Sequence, residues 1–246
     1  KATEYFQQQA NVAKMFLNNG KPYQAGERLK QPELAKTLTA ISQQGSRVFY
    51  HGWIAKAIVS ASQKHGGVLA LEDFANYRVI IRKPIQCFYR DFRVLTAPPP
   101  GSGVTVCEIL SILNAYDLKK WGFHSAKSIH FAVEAMRRAF ADRNTLLGDP
   151  AFVYNPIDRL LSPVYIRKVR SVISADKAGN SASMGIQASP MREKMNTTHY
   201  SIVDREGNAV STTVTLNGFF CGNVIAGHTG FFLNNELDDF TLKPGV

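Results

Sequence analysis

One boundary limits what this chain can fold into more than any other. Residues 174–196, SADKAGNSASMGIQASPMREKMN, hold few apolar side chains and repeat with neither helical nor strand period. Such a stretch cannot bury enough surface to offset the entropy of ordering it, so a mobile surface segment is expected. It runs directly into TTHYSIVD, where polar and apolar residues alternate, then REGN, then AVSTTVTLN, which alternates again. Two alternating runs about a short Gly-containing turn predict a β-hairpin. The period of two puts Thr197, His199, Ser201 and Val203 on one face and Tyr200 and Ile202 on the other.

Upstream the pattern is mostly helical. QPELAKTLTAISQQG (31–45) spaces Leu34, Leu38 and Ile41 at helical intervals and stops at Gly45. FYHGWIAKAIVSASQKHGG (49–67) repeats this with Ile54, Ile58 and Ala61. QCFYRDFRVLTA (86–97), rich in aromatic and β-branched residues, predicts two short strands about a turn near Arg90 and Asp91. PPPGSG (98–103) then forbids helix and central strand. In 102–118, Val106, Ile109, Leu110 and Leu113 form the expected apolar face of a helix. In 125–147, Ile129, Ala132, Val133, Met136, Phe140 and Leu147 form another, with Glu134, Arg137, Arg138 and Arg143 turned away. Ser162 and Pro163 start a last helix, as N-cap and first-turn residue, running to Ile173.

Composition excludes more than it assigns. The 246 residues are 45% hydrophobic, and no run approaches the ~18 apolar residues of a membrane span. The net charge of +10 is spread singly and in pairs, which reads as a solvated basic face and not a nucleic-acid site. Cys87, Cys107 and Cys221 are too sparse for a disulfide framework and make no CxxC pair, leaving room for one disulfide. GxSxG, P-loop, HExxH and GxGxxG motifs do not occur, and GSG at 101–103 reads as a plain turn. No metal, nucleotide or prosthetic group is expected. The opening KATEYFQQQANVAKMF lacks signal-peptide order and reads as the middle of a helix.

The Thr-Thr boundary has a bland reading and a chemical one. A threonine opening a strand is ordinarily a β-former. If the Asn196–Thr197 bond were cut, however, Thr197 would carry a hydroxyl and a free α-amine on one residue. That amine titrates near pH ~7.7–8 and could take the hydroxyl proton, which an internal threonine cannot arrange. The same hydroxyl could attack the Asn196 carbonyl and make the cut itself.

TTHYSIVDREGNAVSTTVTLN, with GFFLNNELDDF and KPGV after it, resembles the γ-glutamyltranspeptidase family. QPELAKTL, FYHGWIA, GGVLALEDFANY, APPPGSG, EAMRRAFADRNTLLGDPAF and NPIDRLLSP resemble its large subunit in the same order. The resemblance implies an α/β (α+β) N-terminal-nucleophile hydrolase, an αββα sandwich present here only in part. It implies a self-cleaving precursor: residues 1–196 would end the large subunit, with 174–196 as linker, and 197–246 would begin the small one, both within one domain. Thr197 matches the nucleophile and Thr215 the hydroxyl that supports it. Asn217, Glu236 and Asp239 match residues holding the polar ends of a γ-glutamyl group. Glu236 and Asp239 suit an ammonium, although a solvated acidic loop is their plain alternative. Asp238 reads as a turn cap and His199 as a hydrogen-bonded strand residue.

Glutathione and similar γ-glutamyl amides are the implied donors; water, amino acids and dipeptides are the acceptors; and export to a periplasm or cell exterior is the implied location. The family's arginine clamp, paired serines and Gly-Gly oxyanion hole have no counterpart among these residues. An incomplete copy, weakly active or inactive alone, is therefore expected. A related acylase acting on cephalosporins or poly-γ-glutamate, or an uncleaved scaffold, is the rival reading.

Overall fold

The computed structural model describes residues 2–184, 197–218 and 220–239, with Asp239 by its backbone alone. About 45% of the chain is helical. It forms two compact units, Lys1–Val79 with Met191–Val246, and Ile80–Pro190. The expected subunit boundary at Thr197 falls inside the first unit.

The first unit begins with α1 (Thr3–Gln7), α2 (Ala10–Phe16) and a ribbon of β1 (Leu17–Asn18) with β2 (Lys21–Pro22). Phe6, Val12, Met15 and Leu17 are buried against Ile225, with Phe220 edge-on to Phe6. α3 (Pro32–Gln44) starts with Pro32 in its first turn and stops at Gly45, whose φ of 66° suits glycine. The single helix expected over 49–67 is two, α4 (Arg47–Tyr50) and α5 (Trp53–Lys64). They break at Gly52, where the backbone passes so close to α4 that a Cβ would lie 2.3 Å from the Val48 carbonyl oxygen, an approach that glycine permits. Val48, Ile54, Ile58 and Ala226 form a second core cluster, beside α6 (Leu71–Ala75).

The second unit holds β3 (Ile85–Tyr89) and β4 (Phe92–Thr96), antiparallel with Tyr89 opposite Phe92, so Arg90 and Asp91 make the expected turn. α7 (Gly103–Leu113) begins where the PPPGSG break ends. A Cβ on Gly103 would lie 2.0 Å from the Ala97 carbonyl oxygen, so close packing is what this glycine permits. A disulfide joins Cys87 on β3 to Cys107 on α7, the bond that composition had left open. α7 stops at Leu113, short of the expected 118. Arg170 Nε donates to the Ile112 carbonyl at 3.1 Å and Arg90 Nη1 to that of Asn114 at 2.9 Å, satisfying its last carbonyls. α8 (Leu118–Trp121), N-capped by Asp117, follows. Val106, expected inside, is exposed; Val104, Cys107, Glu108 and Ile112 form the buried face.

α9 (Ala126–Leu146) reverses its expected orientation. Ile129, Val133, Met136 and Phe140 are 39–48% exposed, while Phe131, Ala135 and Ala139 are buried with Glu134 and Arg138. Glu134, 1% exposed, accepts from Arg137, Arg138 and the Gly179 N–H. Burial opposes its ionisation, but those donors and the two guanidinium charges outweigh it and hold the carboxyl below its ordinary range. The polar row is internal because it neutralises itself.

α10 (Ile157–Leu160) and α11 (Pro163–Ser171) complete this unit, Ser162 capping α11 by accepting from the Tyr165 N–H. Ile112, Phe131, Ala135, Ile166 and Val169 are its core. The first part of the segment expected to be mobile is held: His130 Nε2 lies 2.8 Å from the Ser174 carbonyl and Gly179 is bonded to Glu134. Its remainder, 185–196, lies outside the described residues.

β5 (Thr197–Val203) and β6 (Ala209–Thr215) return to the first unit as an antiparallel hairpin, Thr197 opposite Thr215 and Val203 opposite Ala209. Asp204 closes the turn, accepting from the Asn208 N–H at 2.8 Å and its amide at 2.7 Å. Every residue of β5 is exposed, and no further strand pairs with the hairpin among the described residues. The expected sandwich is present in part, as this one ribbon.

Candidate active site

The register of β5 and β6 brings the first residue of one strand opposite the last of the other. Cross-strand partners point to the same face, so Thr197 Oγ1 and Thr215 Oγ1 lie 3.1 Å apart, Thr197 donating. At Asn217 the chain turns away with φ 65°, a left-handed conformation asparagine tolerates better than most residues. Its N–H donates to Thr215 Oγ1 at 2.9 Å. The Thr215 oxygen thus accepts twice. Its own proton can swing to Thr197 Oγ1 when that oxygen loses its hydrogen, because a hydroxyl rotor is free to reverse.

Downstream, the loop from Leu216 returns over α1 and α2. Asn11 Nδ2 donates to the carbonyls of Ile225 at 2.9 Å and Gly227 at 3.0 Å. Ile225 and Phe232 form a β-bridge, which aims NNELDDF back toward the end of β6. There Asn217 Nδ2 donates to the Asn235 carbonyl at 2.9 Å and the Gly218 N–H to Asn235 Oδ1 at 2.8 Å. Asn235 Nδ2 donates in turn to Asp238 Oδ2 at 2.6 Å. One hydrogen-bonded path therefore runs from Thr197 through Thr215, Asn217 and Asn235 to the 3₁₀ turn Glu236–Asp239.

Within that turn Glu236 is half-buried, and its Oε1 is shielded from water with no hydrogen-bond partner among the described residues. An unpaired shielded carboxylate oxygen is costly, and an ammonium donor is its natural complement. The Asn217 amide nitrogen is engaged by the Asn235 carbonyl. Burial, and then the Glu236 carboxylate, push the Cys221 thiol above its ordinary range, making it a poor nucleophile.

The hydroxyl face continues away from this end. His199 Nδ1 is 2.8 Å from Thr213 Oγ1 and its Nε2 3.0 Å from Ser211 Oγ. Both ring nitrogens are occupied, as the strand reading of His199 expects. The structure thus brings together Thr197, Thr215, Asn217 and Glu236. The backbone of Asp239 shares the last turn, while its side chain and all of Asn196, with the bond to be cut, lie outside the described residues. Asp238, expected to cap a turn, accepts from Asn235 and donates its N–H to the Asn235 carbonyl. Asn235 itself does not stand out in the sequence, although it lies inside the NNELDDF motif. Among the described residues no group of three or more His, Cys, Asp or Glu could hold a metal ion.

Comparison with known proteins covers the whole chain. A profile of the gamma-glutamyltranspeptidase family matches residues 1–246. The glutathione hydrolase proenzyme of Pseudomonas sp. (strain A14) is 46% identical over 99% of this chain and 42% of its own length. Among solved structures, the gamma-glutamyltranspeptidase of Helicobacter pylori superposes on 79% of this chain and 56% of its own with TM-score 0.70 and 35% identity. A cephalosporin acylase from Bacillus halodurans covers 95% of this chain and 41% of its own with TM-score 0.79 and 27% identity. The fold is that of N-terminal-nucleophile hydrolases, and the chain spans less than half the length of the Pseudomonas proenzyme.

Proposed function

This chain belongs to the γ-glutamyltranspeptidase family, and from that premise we propose that the full-length protein is a self-maturing γ-glutamyltransferase and glutathione hydrolase. The observation that carries this reading is the 3.1 Å contact between Thr197 and Thr215, linked by hydrogen bonds to the Glu236–Asp239 turn. Maturation begins when Thr197 Oγ attacks the Asn196 carbonyl carbon. The peptide C–N bond breaks, the hydroxyl proton passes to the departing nitrogen, and water hydrolyses the resulting ester. Residues up to 196 then end one subunit and Thr197 begins the other, the two staying paired.

In turnover the freed α-amine takes the Thr197 hydroxyl proton and the oxygen attacks the γ-carbonyl of the donor. Thr215 turns its proton toward the oxygen that has lost one. The donor's C–N bond breaks and the protonated α-amine gives its proton to the leaving amine. Water, or the amine of an amino acid or dipeptide, then attacks the γ-glutamyl ester and restores the hydroxyl. Glu236, Asp239 and Asn217 Oδ1 receive the donor's α-ammonium. A donor lacking it leaves the shielded Glu236 oxygen unpaired, which is a strong basis for discrimination. Acyl transfer of this kind moves no electrons between redox states, and these residues supply its nucleophile and base.

The Cys87–Cys107 disulfide supports an oxidising compartment, a periplasm or the cell exterior, as the place where the protein works. No helix among the described residues is long and apolar enough to cross a membrane. Mass spectrometry of the full-length protein after incubation tests the reading: a new N-terminus at Thr197, with release of glutamate from glutathione, is expected. An intact chain that still consumes glutathione overturns it. Turnover of cephalosporin side-chain amides in preference to γ-glutamyl amides would favour an acylase.

A further inference from the structure

The two parts of the proposed ammonium site are separate loop segments, Asn217 at the exit of β6 and Glu236 with Asp239 in the 3₁₀ turn. The backbone bond between them at this end is that of the Asn235 N–H to the Leu216 carbonyl, long at 3.4 Å, with the Ile225–Phe232 bridge farther along. Two side chains span the gap, that of Asn217 to the Asn235 carbonyl and that of Asn235 to the Gly218 N–H, and both bonds end on Asn235. We propose that Asn235 is the positioning residue that holds these two segments in one frame, and so sets how the enzyme recognises the α-amino group of its donor. This rests on the γ-glutamyl reading above.

The chemistry of the position asks for a carboxamide. One end of the side chain must accept, because the Gly218 N–H points to Oδ1 at 2.8 Å. The other end must donate, because the Asp238 carboxylate oxygen lies 2.6 Å from Nδ2. Asn and Gln carry an acceptor and a donor on one planar carboxamide whatever the pH, and Gln is a methylene longer. The backbone of the same residue completes the clamp. Its carbonyl accepts from Asn217 Nδ2 at 2.9 Å and from the Asp238 N–H at 3.1 Å, and its N–H reaches the Leu216 carbonyl at 3.4 Å. Gly218 sits so close that an added Cβ would lie 3.1 Å from Asn235 Oδ1 and 3.0 Å from the Cys221 carbonyl oxygen. The bonds to Leu216, Asn217 and Gly218 join the β6 exit to NNELDDF, those to Asp238 fix Asn235 within the acidic turn, and none reaches Thr197 directly. Asn235 therefore acts on donor binding through Asn217 and the acidic turn.

The test replaces Asn235 by Asp, which keeps size and the acceptor for Gly218 but sets two carboxylates against each other at Asp238. A second variant, Asn235→Asp with Asp238→Asn, exchanges donor and acceptor and rebuilds the bond. Kinetics are taken on the self-cleaved fraction of the full-length protein, with two donors: a γ-glutamyl anilide, and glutaryl anilide, which lacks only the α-amino group. N235D is expected to raise KM for the γ-glutamyl donor about tenfold with kcat within about threefold, the signature of lost binding before the chemical step. Glutaryl anilide should stay within about twofold of its wild-type kcat/KM, and the exchange variant should recover most of the lost KM. An unchanged KM in N235D, an equal loss on both donors, or no recovery in the exchange variant, absence of folded protein included, overturns the assignment. Failure of the underlying reading looks different: the wild-type enzyme itself would then show no preference for the donor that carries the α-amino group.

Discussion

The α9 face and the β5–β6 face each align polar side chains in a row, and the two rows have opposite fates. On α9, Glu134 and Arg138 are buried and Arg137 joins them, while Ile129, Val133 and Met136 face outward. On the hairpin, Thr197, His199, Ser201, Ser211 and Thr213 stay exposed, and among the described residues their side chains bond to one another and to Thr215. The difference lies in what can be neutralised. Two guanidinium groups and a backbone N–H satisfy one carboxylate completely, so that row can serve as core. Hydroxyls that must give up a proton to do chemistry have to remain reachable. On the proposed function the first row holds structure and the second, through Thr197, holds reactivity, and each can be broken without the other.

The largest effect should come from the hairpin. Thr197→Ala in the full-length protein is expected to leave the chain uncut at 196–197 and lower γ-glutamyl transfer by at least ~10³-fold. Because this side chain is exposed, its melting temperature should barely move, as for surface substitutions that cost within about 0.5 kcal/mol. Gel electrophoresis for cleavage, an anilide assay and calorimetry check the three parts. A cleaved, active Thr197→Ala protein would erase the distinction between the two faces.

Breaking the other row should do the reverse. Glu134→Gln leaves Arg138 buried and unpaired, a kind of change that costs about 3–5 kcal/mol. Turnover per folded molecule should be unaffected. The acid limb should change as well. A carboxyl whose folded value is depressed adds stability above its unfolded value and loses it as pH falls through the folded one. Wild type should therefore lose an increment on acidification that Glu134→Gln never had, visible in melting curves from neutral pH downward.

The same contrast explains what was legible in sequence. The hairpin and its turn follow from a period-two pattern and a short loop, which local geometry enforces, and the structure adds the register that sets Thr197 opposite Thr215. The stop of α3 at Gly45 and the Ser162 cap follow from backbone chemistry of the same local kind. The α9 face did not. Its two stripes are both helical in period, and the choice between them depends on Glu134 pairing with Arg137 and Arg138 and on a bond from the Gly179 N–H, forty-five residues away. The break at Gly52 and the glycine at Gly103 depend on backbone approaches that no spacing records. In the site, Thr197, Thr215, Asn217, Glu236 and Asp239 came from family motifs. Asn235 was missed because its role lies in bonds across a loop and not in reacting atoms.

Between these extremes stands the disulfide. It ties β3 to α7 across a sequence separation of 20 and lies wholly within the second unit. Replacing both Cys87 and Cys107 by Ala should cost about 3 kcal/mol, the loop-closure entropy returned to the unfolded chain. Wild type under reductant should approach the same melting temperature, with the Thr197 chemistry of the folded fraction unchanged. If reductant leaves wild type as stable as before, the bond adds nothing to the unit that the core does not already supply.

The smallest effect per unit of change, and the sharpest in sign, concerns a second buried carboxyl in the same helical unit. Glu108 on α7 is 1% exposed and hydrogen-bonded to Asp142, whose Oδ2 also accepts from the Tyr165 hydroxyl at 2.6 Å. Among the described residues no guanidinium pairs with it as Arg138 pairs with Glu134. Burial first, and then the bond to and charge of Asp142, raise its pKa to about 9, so it stays protonated at neutral pH and donates to its neighbour. The linkage then runs opposite to that of Glu134. Stability from this group is complete below the ordinary carboxylate value, falls as pH rises, and is fully lost once pH passes about 9. The slope is at most ~1.4 kcal/mol per pH unit. Glu108→Gln keeps a donor for Asp142 and cannot ionise, so its melting temperature should stay level between acid and alkaline pH where wild type declines. Two neighbouring helices would then carry buried carboxyls of opposite pH sense, one ionised because arginines surround it and one protonated because another carboxyl does. A Glu108→Gln protein that declines in parallel with wild type would show that this carboxyl keeps no proton of its own.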